Sequence, residues 1–446
     1  MTIDNYTQPF NSKLPQTSEA VPNKNTLNSY LPIRTKDNKH DSGAVIGLVL
    51  RSLLRKKIED YKYEDFLSDC KDAITDKSGK PELWDILQEM YFENEDIFSV
   101  SPELLLFLSQ KDQLSAADSR IASMYINLLQ NMRIEEFDTK LNFIEQEVLS
   151  TLRNKMTDEQ SKDVGEKSYL PYLSAVFRND LKFLSSRPKY LLNEIGSLLS
   201  FYGFAYTAQL SLALNDWRSG EEPGAKPLYF IMDHERASGE RTHIKNHGYK
   251  LFNESASRLY PMLTMLELLQ PSVGEKSATK VPLWEISKGI QESKSTHLTE
   301  QLEQFARAFK SHRNLDTSLN ESDSALDWLA NIMKLAIAQF SVGERFNINK
   351  KYVSEIETHL ASPFIQNRRR AGLVLVLNQD YIILLTNIAV GEKDKLRFHE
   401  LISAFKQRGI FVDKQTEQEL IKFYERIGNV ERMSDSGDAV YVRKTI

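Results

Sequence analysis

Helical spacing of apolar residues limits this chain more than any other feature. Leu141, Ile144, Val148 and Leu152 recur every three or four positions, the mark of one buried helix face. An apolar helix beginning near Ala44 ends in Arg51, Arg55, Lys56 and Lys57, where cations suit the helix dipole. Ser101-Pro102-Glu103 has the composition of a helix start, and Thr157-Asp-Glu-Gln160 has the capping-box form. Only one run in this span, residues 228–232, reads as a strand, and it ends at Asp233. The expected fold class is mainly α: a large helical body over 42–365, with loops at 76–81, 217–227, 271–282 and 314–324 and a possible division near 217–226 or 271–282.

Two flanking readings follow from composition. Residues 1–41 hold many Asn and Pro and no apolar run, so they are expected to form a disordered or loosely packed tail. No secretory signal opens them. Residues 195–214 carry no formal charge and match a bilayer in length. Yet Gly196, Ser197, Ser200, Gly203, Thr207, Gln209 and Ser211 interrupt them, which fits a core helix better than a membrane span. The single cysteine, Cys70, allows no intrachain disulfide and no Cys-pair zinc site. A soluble, cytoplasmic protein with no cofactor is expected.

Fifty-seven Lys and Arg against 62 Asp and Glu give a net charge of −5. A surface coated throughout with nucleic acid is thereby excluded, but a local basic patch is not. Residues 366–446 hold fourteen Lys or Arg against eleven Asp or Glu, a net of +3. Their pattern predicts helix (380–390), short strand (395–398), helix (399–408), turn (410–413), helix from a Thr416–Glu419 capping box to Gly428, then strands 430–433 and 439–442 around a Ser/Asp/Gly turn. That order is a winged helix-turn-helix. Such domains often lay their second helix in the DNA major groove, and some dock protein instead. The phosphate-contact candidates are Arg368, Arg369, Arg370, Lys422, Arg426, Arg432, Arg443 and Lys444.

Arg370-Ala371-Gly372-Leu373, Gln379-Asp380-Tyr381 with Leu384-Leu385-Thr386-Asn387, the Arg408-Gly409-Ile410 turn reaching Asp413, and Ser434 through Ala439 followed by Tyr441-Val442 resemble the DptG family of DNA phosphorothioation-dependent restriction proteins. The specific match covers roughly 370–446; the body agrees only in length and helical character. The resemblance implies an antiphage setting in which host DNA carries sulfur in place of a phosphate oxygen. Three proteins, DptF, DptG and DptH, damage DNA lacking that mark, and the ATPase motifs belong to the partners. No catalytic residue set comes with it.

The chain has no phosphate-binding G-x-x-x-x-G-K-[ST] loop, no G-x-S-x-G and no H-E-x-x-H. The nearest approach to an active site is Asp233, His234 and Glu235 after the strand, followed by Glu240, His243, Lys245 and His247. Clustered carboxylates beside a lysine are what a metal-dependent nuclease needs; a basic surface loop or a docking loop has the same composition. The expectation is a non-catalytic subunit that contacts DNA or organises DptF- and DptH-like partners, with a metal-dependent nuclease or a pure adaptor as rivals.

Overall fold

Asp41 caps the first long helix: its side chain accepts from the Ala44 amide and starts α1 (Ser42–Leu54). The computed structural model describes residues 27–93, 96–110, 114–160, 165–236, 241–270, 279–293, 296–433 and 439–446. Helix makes up 63% and strand 7%, so the mainly α class holds. After α1 come β1 (Lys56–Lys57), α2 (Tyr63–Ser78), α3 (Leu83–Leu87) running into a π turn (Gln88–Phe92), a 3-10 helix (Pro102–Ser109), α4 (Ala116–Leu129) and α5 (Phe143–Arg153). Then follow β2 (Thr157–Asp158), α6 (Pro171–Ser185), α7 (Pro188–Ala213), β3 (Ile231–Met232), α8 (Thr242–His247), α9 (Tyr249–Leu268), α10 (Leu283–Ser293), α11 (Thr296–His312), α12 (Ala325–Ala338) and α13 (Gly343–Ile356). The chain closes with β4 (Ile365–Asn367), β5 (Leu373–Leu377), α14 (Gln379–Val390), β6 (Lys395–Arg397), α15 (Phe398–Gln407), α16 (Lys414–Arg426), β7 (Val430–Met433) and β8 (Ala439–Arg443).

The uncharged stretch 195–214 is the inner part of α7, where Leu198, Tyr202, Phe204 and Tyr206 are all 0% exposed. No helix among the described residues is long and apolar enough to cross a membrane. Two expected α-helix starts differ. The Ser101 hydroxyl donates to the Glu103 carboxylate instead of capping amides, and Glu103, buried against Arg153 at 2.6 Å, opens a 3-10 helix. Thr157 and Asp158 pair antiparallel with β1, because no apolar run follows them to bury a helix.

The expected tail boundary at residue 41 moves. Residues 1–26 lie outside those described, but Leu27, Tyr30, Leu31 and Ile33 are 0–2% exposed. Asn-rich composition hid four apolar anchors. The buried Glu166 carboxylate accepts from the amides of Ser29 (2.9 Å) and Tyr30 (3.3 Å) and from the Tyr169 hydroxyl (2.8 Å). Arg120 donates to the Pro32 and Asp37 carbonyls.

The boundary at 365/366 also moves, since it cuts β4. Strand β5 pairs antiparallel with β4 and parallel with β3, giving the order β3-β5-β4. One cluster of buried side chains extends from Leu27 to Val442 and includes Trp217, so the core does not divide at 217–226. Of the second expected division, residues 271–278 lie outside those described.

Candidate nucleic-acid interface

Residues 379–443 fold in the expected order of elements. Asn378 caps α14 by accepting from the Tyr381 amide, and β6, β8 and β7 form an antiparallel sheet in that order. The cap of α16 is Asp413, which accepts from the Thr416 amide at 3.0 Å. The expected Thr416–Glu419 box is therefore displaced by one turn, and Thr416 lies inside the helix, 1% exposed. Leu420, Phe423 and Tyr424 form the buried face of α16. Gln415, Gln418, Lys422 and Arg426 are exposed and follow one another at helical spacing on the opposite side. The two glutamines were not among the sequence candidates; their spacing from Lys422 and Arg426 was the available signal.

Three networks hold this unit to the body. Arg241 donates through Nε to Asp413 Oδ2 (2.8 Å), through Nη1 to Glu235 Oε2 (2.8 Å) and through Nη2 to Thr416 Oγ1 (2.6 Å). Arg408 grips Asp180 with Nε at 2.8 Å and with Nη2, while the Tyr202 hydroxyl donates to the same carboxylate. Phe411 exchanges backbone hydrogen bonds with Leu228 and Phe230 at 2.9 Å. Thr386 and Asn387 are structural too, bonding Tyr424, Tyr190 and Thr445.

Burial would raise the Asp413 carboxyl, but Arg241 and the Thr416 amide outweigh it and hold it below its ordinary value. A lowered carboxyl stabilises the fold above the unfolded value and loses that contribution as pH falls through the folded one. Hydrogen exchange of α16 followed from pH 7 downward is expected to stay slow until the solution is more acidic than ordinary carboxylate titration. Asp413→Asn is expected to exchange faster at pH 7 and to flatten the acid limb; an unchanged limb would remove Asp413 from the junction's stability.

Most of the expected phosphate contacts already have partners. Lys422 pairs with Glu419 (2.8 Å), Arg432 with Glu425 (2.5 Å), and Arg443 with Glu431. Lys444 donates to the Gly391 and Lys393 carbonyls, closing the end of α14. Arg368 donates to the Asp233 carbonyl, which places it at the β4–β5 turn beside the body. Arg369 is exposed there in the left-handed region, φ 51°; the Arg370 side chain lies outside those described. Arg426 lies over the Phe423 ring at 5.6 Å.

The described residues of the metal-site rival are engaged in other contacts. Glu235 is 4% exposed and spent on Arg241, Thr416 and the Met232 amide. Exposed His243 stacks on Tyr229 at 4.8 Å, with His247 6.0 Å away. Glu240 lies outside the described residues. Among the described residues, no three Asp, Glu, His or Cys side chains gather to hold a metal.

No known family model matches the chain, and no curated protein matches it.

Proposed function

We propose that this chain is a non-catalytic, DNA-contacting subunit of a phosphorothioation-dependent restriction complex, working with DptF- and DptH-like ATPase partners in the cytoplasm. On this reading residues 379–443 are a winged helix-turn-helix, with α15 and α16 as its two helices and β7–β8 as its wing. The carrying observation is the exposed polar stripe Gln415, Gln418, Lys422 and Arg426 on α16. Glutamine and arginine are side chains that read base edges, and lysine and arginine also neutralise phosphates. The setting itself rests on the resemblance of 370–446 to the DptG family.

The test is fluorescence anisotropy of the full chain with unrelated duplexes across a salt series. Each lost phosphate contact flattens the log–log salt dependence by about one unit. Lys422→Ala with Arg426→Ala is expected to weaken binding to every duplex and flatten the slope by one to two such units. Arg432→Ala with Arg443→Ala is expected to do less, because both of its arginines are already neutralised, by Glu425 and Glu431, whereas in the α16 pair only Lys422 has such a partner, Glu419, among the described residues. Unchanged affinity and slope in the α16 variant would sink the DNA reading. That same ion pairing favours the second reading, an adaptor whose winged helix docks a partner protein; loss of the variant from the assembled complex with DNA binding intact would select it.

A further inference from the structure

Seven of the nine large apolar side chains exposed among the described residues fall into two groups. Ile86 and Met90 stand 57% and 58% exposed on α3 and its π turn, and Phe143 is 56% exposed at the start of α5. A hydrogen bond from Asn142 to the Tyr91 hydroxyl holds these two segments together. Val342, Phe346 and Ile348 are 70%, 47% and 41% exposed around the first turns of α13, with Ile337 39% exposed at the end of α12. Isolated exposed apolar residues are ordinary; contiguous ones mark contact surfaces.

The two groups carry opposite charge. Around Ile86 and Met90, exposed Glu82, Asp85, Glu89 and Glu93 form no ion pair among the described residues, although Lys80 and Lys140 are close in sequence to Glu82 and Phe143. Around Val342 and Phe346, Arg313, Arg345, Lys350 and Lys351 likewise form none, although Asp316 and Glu344 are close in sequence. The Arg313 Nε is buried without an acceptor. Burial, and then the neighbouring Arg345 guanidinium, pull the Arg313 guanidinium below its ordinary value. Arg313 and Arg345 are near enough to repel each other, and neither forms an ion pair among the described residues.

We infer that the chain associates head to tail: the acidic apolar face on α3 and its π turn in one copy seats on the basic apolar corner of α12 and α13 in the next. Each face supplies what the other lacks, apolar surface against apolar surface and carboxylates against unpaired cations. Within one copy the two faces do not cover each other, since Ile86, Met90, Val342 and Phe346 all stay exposed. The faces differ, so the contact is heterologous; it leaves one face free at each end and closes only as a ring. A second copy fits better than DNA, which would meet the cations but leave Val342, Ile348 and Ile337 against a charged backbone. This inference is independent of the α16 stripe.

The experiment is sedimentation velocity of the full chain at low salt, up to roughly 100 µM, above the micromolar range of weak interfaces. The mass is expected to rise above the monomer with concentration and to fall back in high salt. Val342→Ser with Phe346→Ser breaks one face, and Ile86→Ser with Met90→Ser breaks the other; all four side chains are exposed, so the melting curves should match the parent. Each variant alone is expected to remain a monomer. An equal mixture should give a dimer and nothing larger, because one intact face of each kind remains. A parent chain that stays monomeric, variants that associate like the parent, or a mixture that stays monomeric would overturn the inference. So would loss of DNA binding in the Val342/Phe346 variant with its mass unchanged from the parent, which would make the corner a nucleic-acid contact.

Discussion

Arg408→Ala is expected to lower the unfolding free energy by about 3–5 kcal/mol, the usual cost of breaking a buried ion pair from one side. The Asp180 and Arg408 side chains are 2% and 6% exposed. Burial alone would lower the Arg408 guanidinium, but Asp180 and Tyr202 hold it above its ordinary value, so it stays charged. Without it, the buried Asp180 carboxylate keeps only the Tyr202 hydroxyl among the described residues. Lysine would not replace the two-pronged grip, because its ammonium lacks the planar fork that gives two parallel N–H bonds to the carboxylate. The position magnifies the effect. Arg408 lies in the turn between α15 and α16, and a Cβ on Gly409, at φ +80°, would meet the Gln209 amide at 2.6 Å, so this turn rides directly on α7. Urea unfolding reads the loss, and hydrogen exchange is expected to show α16 opening first. Asp180→Leu with Arg408→Met should recover most of the stability, since a well-packed apolar pair is often as good as a buried ionic one. A midpoint unchanged in the single variant would show that the pair does not hold the C-terminal unit in place.

That pair was invisible in the sequence, and its invisibility has a physical cause. Local order is written in local pattern: the apolar spacing of 141–152, the Gly391 stop after α14 and the turn at 409–410 all lie within a few residues of the structure they specify. Helix existence and the order of the last six elements were therefore legible. Asp180 and Arg408 are 228 residues apart, and Glu235 and Thr416 are 181 apart. Nothing in their neighbourhoods says that they meet. The same gap explains the site. Arg432, Arg443 and Lys422 looked like free phosphate contacts because composition counts charges without pairing them. In the fold Glu425, Glu431 and Glu419 stand against them. Asp233 to His247 looked like a metal cluster for the converse reason, since nothing local to the loop shows that Arg241 occupies Glu235.

Deleting residues 1–41, rather than leaving the melting transition nearly unchanged as a loose tail would, is expected to leave the body unable to fold stably. Leu27, Tyr30, Leu31 and Ile33 are buried in the common core. Each buried side chain of this kind contributes roughly 1.5–3 kcal/mol, so four approach the whole stability of a typical domain, about 5–15 kcal/mol. The polar losses add to this. Glu166 would lose the Ser29 and Tyr30 amides, and burial already pushes its carboxyl above the ordinary value. Arg120 would lose the Pro32 and Asp37 carbonyls and the Asn38 side chain, leaving a largely buried guanidinium without those acceptors. Asp41 would also vanish as the cap of α1, and with it the bond from its amide to Asp118. A milder version keeps the outcome measurable if the deletion yields only aggregate. Tyr30→Ala removes a ring that packs tilted against Tyr169, centroids 5.4 Å apart, and a hydroxyl that donates to the Leu259 carbonyl. Its expected cost is about 3–5 kcal/mol, as for other large aromatic truncations in a core. The reference is a chain starting at Leu27, which keeps every contact named. If the chain starting at Ser42 melts within a few degrees of that reference, residues 27–41 contribute nothing to the body, and the burial of Tyr30 is incidental.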